Sequence, residues 1–152
     1  MKRLQISLMA IGLFFLLGPG SPVRAENPES DASAMRVLDA FMTAFNARQV
    51  DAFEATLNFP HYRIAGGQVS VLEEAGTRPD MFARFTSATP GWDHSAWARR
   101  NVVHSGPSKV HIDTRFIRYR ADGAILSEFD SLYIVTLQDG EWGIKARSSF
   151  AP

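Results

Sequence analysis

Two Asp-Gly pairs, Asp122-Gly123 and Asp139-Gly140, stand between long stretches in which apolar and polar residues alternate. Asp-Gly supplies the left-handed backbone that a tight turn between antiparallel strands requires. Alternation at period two marks a strand with one covered face. With Gly106-Pro107 upstream, these pairs predict a four-stranded antiparallel meander filling the chain after Gly91. Such a block needs other elements to cover its apolar face.

The first half supplies the cover. Val37, Leu38, Phe41 and Phe45 recur at three- and four-residue spacing, which predicts an amphipathic helix over 34–48, capped by Asp31 or Ser33. Asp51 and Glu54 read as a capping box for a second helix with Phe53 and Leu57 on its apolar face and Pro60 as its stop. Thr77, Pro79 and Asp80 start a third helix carrying Met81, Phe82 and Phe85. Between the second and third helices, Tyr62–Ala65 and Val69–Leu72 flank Gly66-Gly67 as a hairpin. The order ααββα followed by a meander predicts an α+β fold with the helices on one sheet face.

Tight turns also set register, and register decides which side chains share a face. Counting from the two Asp-Gly turns places Phe116 opposite Phe129, Thr114 opposite Ser131, Ile112 opposite Tyr133 and Ser131 opposite Ser148. Counting from Gly106-Pro107 sets Trp97 opposite Phe116, Arg99 opposite Thr114 and Asn101 opposite Ile112. The inner face is then apolar at both ends, with Val103 at one and Phe150 at the other. A polar row of Arg99, Thr114, Ser131 and Ser148 crosses it, with Asn101 and Tyr133 beside the row. Four polar residues side by side on a helix-covered face read as the floor of a ligand cavity. The competing reading is that the hydroxyls bond one another across strands. The outer face carries Asp113, Arg115, Asp130, Lys145 and Arg147 among Ile117, Tyr119, Leu126, Leu132 and Ile134, a mixture suited to a subunit interface.

The N-terminus reads as a leader. Lys2 and Arg3 precede an uncharged apolar run from Leu4 to Leu17, then Gly18, Pro19, Gly20, Pro22 and Val23-Arg24-Ala25. That is a secretory signal peptide over 1–25, too short in its apolar part to span a membrane. Residues 26–33 are polar and read as a flexible lead-in, and 34–152 as one domain. Export, to the periplasm or the medium, is the expected localisation, with no stable membrane anchor after cleavage. Lys2, Arg3 and Arg24 fall in the leader, which holds no acid, whereas the whole chain balances 16 basic against 16 acidic residues. The remainder is net negative, which argues against nucleic acid as a partner. Without cysteine the chain has no disulfide and no thiolate nucleophile. His94, His104 and His111 fall on the outer face without ligand spacing, so no metal site and no cofactor is expected. His61, in Phe59-Pro60-His61-Tyr62-Arg63, is the best catalytic candidate, because a histidine between helix and strand can exchange a proton near neutral pH. The bland alternative is a histidine tied to backbone groups.

Phe41 to Arg48 with Val50-Asp51-Ala52-Phe53, the strand ending Phe116-Ile117-Arg118-Tyr119, and Asp139-Gly140-Glu141-Trp142-Gly143-Ile144 together resemble the nuclear transport factor 2-like superfamily, and within it the SnoaL-like domains. The resemblance implies a cone-shaped, cystatin-like/SnoaL-like roll: a curved, mostly antiparallel mixed sheet with about three helices on its concave face. It implies a pocket inside and a homodimer through the outer sheet face. Members include ketosteroid isomerases, polyketide cyclases and dehydratases, alongside pure binding and assembly domains. The enzymes use an inward Asp or His with Tyr or Asp. This chain offers His61 and Tyr133, and no inward carboxylate in the register above. Two readings follow. One is a binder of a small apolar molecule through His61, Trp97, Arg99, Asn101, Thr114, Ser131, Tyr133 and Ser148, with acid–base catalysis of the lyase, isomerase or cyclase kind left open. The other is a non-catalytic dimeric interaction domain whose core is filled.

Overall fold

A computed structural model describes residues 27–152; the leader read over 1–25 lies outside the described residues. The elements are α1 (Pro28–Ala47), α2 (Val50–Glu54), β1 (Leu57–Ala65), β2 (Gln68–Leu72), α3 (Met81–Ala88), β3 (His94–Gly106), β4 (Lys109–Tyr119), β5 (Ile125–Gln138) and β6 (Glu141–Ser149). Their order is the ααββα-plus-meander read from the sequence. All six strands form one sheet in the order β2-β1-β6-β5-β4-β3. Every pairing is antiparallel except β1 with β6. That parallel pairing carries the short hairpin to the edge of the meander and makes the sheet mixed.

The helices lie on one face. Leu38, Phe41 and Ala44 of α1, Phe53 and Phe82 meet Val110, Ile112, Tyr133, Val135 and Ile144 of the sheet in one buried cluster. α1 starts at Pro28, so the flexible lead-in expected over 26–33 is mostly helix. Proline suits a first helical turn. The buried residues there, Ser30 and Ser33, are polar and leave no apolar period to read. Asn27 Nδ2 and Ser30 Oγ tie this turn to the carbonyls of Ser105 and Pro107. The second helix is shorter than expected, because Leu57 already belongs to β1. Glu54 is not a capping-box partner: it is buried, and its Oε2 accepts from the Gly76 N–H at 2.7 Å.

Four glycine turns are expected from the sequence. Gly66-Gly67 and Asp139-Gly140 have positive φ at both central residues, the backbone a two-residue hairpin favours. The loop at Asp122-Gly123 is longer, spanning 120–124, with the Ala124 N–H bonded to Asp122 Oδ1. A shift after Arg118–Ser127 restores the expected register, and Phe116–Phe129, Thr114–Ser131 and Ile112–Tyr133 pair as read from the sequence. The turn at Gly106-Pro107 is displaced: Gly106 pairs with Lys109, putting Pro107-Ser108 at the corner. Two further irregularities, between Trp97 and Arg99 and between Val102 and His104, bring β3 back so that Trp97 still meets Phe116. A fourth irregularity lies between Ile134 and Val135 on the β5–β6 ladder. Beside it, Asn58 Nδ2 bridges Thr136 and Gly143. Any Cβ at Gly143 would come within 2.5 Å of Asn58 Oδ1, so only glycine lets β1 and β6 approach this closely.

Candidate functional site

The bulges change which polar residues face the helices. The observed pairs across the sheet are Arg100–Thr114, Thr114–Ser131 and Ser131–Ser149. Arg99 and Ser148, expected in this row, are each one residue out of step. Arg99 sits on the outer face, where its guanidinium bonds Asp113 and Asp130. Ser148 pairs with outward Leu132, and Asn101 pairs with outward Asp113. An extra residue at a bulge turns the next side chain to the opposite face. Val103 and Phe150, counted inward, are exposed for the same reason.

The floor expected over Thr114 and Ser131 is covered. Both residues are buried. Thr114 Oγ1 donates to the Ser131 carbonyl at 3.1 Å, and the Ser131 and Ser149 hydroxyls bond each other at 2.8 Å. Trp97 is also structural: its Nε1 donates to the Leu38 carbonyl, and its ring packs edge-on to Tyr133.

Open space begins one strand-pair further along. A cavity of about 350 Å³ lies between α1, α3 and the inner sheet face. Phe41, Phe45, Phe85 and Phe116 wall it, and Tyr133 and Ser149 present polar groups to it. Five arginines line it as well, Arg63, Arg78, Arg84, Arg118 and Arg147, and no Asp or Glu side chain among the described residues does. Strand parity and register explain where three of them point. Arg118 follows Phe116 at the inward parity of β4, and its residue is 8% exposed. Arg63 shares the inward side of β1 with His61, because Tyr62 and Ile64 are the exposed residues of that strand. Arg147 was expected outside; the β5–β6 irregularity pairs it with Tyr133 instead and turns it inward.

Three of the five have partners. Arg84 pairs with Asp80 on the surface. Arg78 donates to the Val71 carbonyl, and Arg63 to the carbonyls of Ala151 and Pro152. Arg118 and Arg147 do not. Their Nε atoms are buried without a hydrogen-bond partner, and among the described residues only aromatic faces compensate their charge. Arg147 lies over Phe41, and Arg118 touches Phe85, Phe116 and Phe129. Burial, and then the Arg147 charge, lower the pKa of both Arg63 and Arg118 below the usual guanidinium value. A guanidinium so placed stays charged.

His61 points inward but not into this space. It lines a neighbouring recess of about 70 Å³, together with Arg63, Arg78 and Arg147, which the two spaces share. His61 Nδ1 lies 2.9 Å from the Ile144 carbonyl. A carbonyl only accepts, so Nδ1 carries the proton and Nε2 is the free lone pair. Burial, and then Arg147, hold its pKa down at about 4. At neutral pH it is an uncharged, weakly basic ring.

On the outer face, Arg115 and Arg99 close on Asp130 and Asp113 with bonds of 2.8 to 3.2 Å. The Arg115 hydrogen bond, with help from Arg99, pulls the Asp130 pKa down to about 2. His94, His104 and His111 lie apart from the cavity, and no described cluster of His, Asp and Glu has the geometry of a metal site.

The sequence of residues 30–149 matches the model of an NTF2-like protein family, DUF6841. The chain belongs to that NTF2-like family. Its fold is that of several solved relatives. One is a cystatin-like-fold protein of unknown function from Nostoc punctiforme, at TM-score 0.65 and 8% identity, covering 82% of this chain and 92% of that one. Another is an NTF2-like protein of unknown function from Shewanella oneidensis, at TM-score 0.61 and 14% identity, with 79% and 98% covered. A third is a ketosteroid isomerase-like protein from Erwinia carotovora, at TM-score 0.58 and 19% identity, with 84% and 100% covered. The cystatin-like roll expected from the resemblance is therefore the fold of this NTF2-like chain. No curated protein matches it in sequence.

Proposed function

We propose that this NTF2-like chain is an exported binder of a small, largely apolar molecule, held in the 350 Å³ cavity between α1, α3 and the sheet. The observation that carries the reading is the aromatic wall of Phe41, Phe45, Phe85 and Phe116 around a few inward polar groups, the usual make-up of a ligand site. The Tyr133 hydroxyl supports it: it belongs to a residue only 2% exposed, and none of the described residues bonds it. Binding is favoured over acid–base turnover, because His61 is neutral, tied to a carbonyl and outside the cavity. A thermal-shift screen of small aromatic acids, steroids and lactones tests this. A ligand at a hundred times its Kd should add about 2.7 kcal/mol of stability. Ala88→Phe, which replaces a lining methyl by a ring, should abolish the gain. No stabilisation by any class would contradict the reading.

A second reading concerns the outer face. Tyr62, Ile64, Val69, Val71 and Leu132 are all more than a third exposed, and register sets them in two adjacent rows, Val71-Tyr62-Ala146-Ile134 and Val69-Ile64-Ser148-Leu132. An apolar strip of that kind fits a sheet-to-sheet homodimer with two-fold symmetry. Leu132→Asp should then lower the mass measured by light scattering to that of a monomer. A wild type already monomeric at high concentration would end this reading.

A further inference from the structure

Resting on the pocket reading above, we infer that the ligand is an organic anion, an aromatic or alicyclic body bearing a carboxylate or a phosphate or sulfate ester, whose charged group is held between Arg147 and Arg118.

The cavity's charge is unbalanced. Five guanidiniums line it and no Asp or Glu side chain among the described residues does, the Pro152 main-chain oxygen being taken by Arg63. A surface arginine loses little by lacking a partner, since water solvates it. Arg118 is 8% exposed, and buried cations are normally paired. Structural requirements do not account for the two unpaired ones. Each guanidinium carbon lies over aromatic rings, and the Nε–H edge of each has no hydrogen-bond partner among the described residues. Those edges are the part that recognises carboxylates and phosphates, as a fork of parallel donors. The Nε–H of each is one such donor, buried and unbonded.

Nearby neutral donors fit the same task. Tyr133 pairs with Arg147 across β5–β6 and lines the same cavity. Its hydroxyl can donate to an anion's second oxygen. Ser149 lines the cavity too, though its hydroxyl is shared with Ser131 and the Ala151 N–H. Arg63 contributes field rather than a free fork, because backbone carbonyls occupy its Nη2. The aromatic wall then takes the ligand's apolar body. An inorganic anion alone would leave that wall unfilled, and a neutral apolar molecule would leave buried Arg118 and half-buried Arg147 unanswered.

The test uses matched probes on the domain spanning residues 26–152: 2-naphthoate, 2-naphthyl phosphate and the neutral 2-naphthamide, titrated calorimetrically at low salt. The expected result is that at least one anion binds ten-fold or more tighter than the amide; which anion wins identifies the head group. Arg147→Met should remove that preference by bringing the anion's affinity within about three-fold of the amide's, with Arg147→Gln as a second variant should the first fold poorly. Equal binding of all three probes would overturn the anion assignment and leave the small-molecule pocket standing. Failure of all three to bind, with a thermal-shift screen also blank, would remove the pocket and the anion assignment together.

Discussion

Arginines sit on both faces of the same sheet, in opposite company. Outside, Arg99 and Arg115 are closed by Asp113 and Asp130 in bidentate contacts, about a third exposed to water. Inside, Arg118 and Arg147 meet phenyl rings and no acid. The outer set is self-sufficient: charge, fork geometry and hydration are all satisfied within the chain. On the reading proposed above, the inner set is completed by an anionic ligand. A cluster's balance of charge, more than its residue types, thus separates an arginine that holds the fold from one that awaits a ligand.

Acid pH pulls the two faces apart most strongly. On the inner face, His61 is held at about 4 against an ordinary 6.5. Folding then favours its neutral form, and the unfolded chain binds the extra proton first. Stability should be full above pH 6.5 and fall as pH drops toward 4, by as much as about 3 kcal/mol. His61→Gln should flatten that slope, measured by urea unfolding at several pH values. A slope unchanged by the substitution would show that His61 does not set it. On the outer face, Asp130 is depressed to about 2 from 3.8. Its contribution persists above pH 3.8 and is lost below that, toward pH 2. The inner loss therefore comes first, in a separate pH window.

The two faces are coupled to Arg147 in different degrees, which gives a smaller effect. Arg147 is the second cause, after burial, of the low His61 value. Arg147→Met should raise the His61 pKa and narrow the window over which stability falls, read by NMR titration of the ring. The outer-face Arg115→Met should leave the His61 titration where it is. Smaller still is the loss from Arg115→Met itself. A partly exposed ion pair contributes on the order of 0–1 kcal/mol, and Arg99 remains on Asp130. That loss should shrink with added salt.

Much of this contrast was legible in the sequence, and the illegible part has one cause. The element order, the Asp122-Gly123 register, the turn-proximal half of the Asp139-Gly140 register and the outward Arg115–Asp130 pair follow from turns whose glycines are visible. Arg118 was readable too, since it continues the inward parity of Thr114 and Phe116. Arg63 shares a face with His61, and the hairpin's alternation says as much once that face is known to turn inward. The exposed alternative, Tyr62, Ile64, Val69 and Val71, is the more apolar face, so hydrophobicity alone points the wrong way there. Arg99, Asn101, Ser148 and Arg147 were misplaced by bulges. A bulge inside a ladder leaves no glycine or proline signature here: near β6 it sits beside Lys145, whose Nζ bonds the Phe59 carbonyl of a strand far away in sequence. Such a contact is a tertiary cause, and the period-two pattern of one strand does not contain it. Ser30 hid the start of α1 for a related reason, since it is buried where its hydroxyl bonds the Pro107 carbonyl at the β3–β4 corner.

The central claim is that Arg147 is kept for a ligand and not for the fold, and the thermal stability of Arg147→Met without any ligand tests it most directly. Methionine keeps most of the side chain's length and apolar contact with Phe41 while removing an uncompensated charge. A residue retained for binding at some cost to stability should yield a protein as stable as the wild type at neutral pH, or more stable. A loss of more than about 2 kcal/mol, on the scale of a broken buried network, would mean that Arg147 holds the structure together, and would contradict the account.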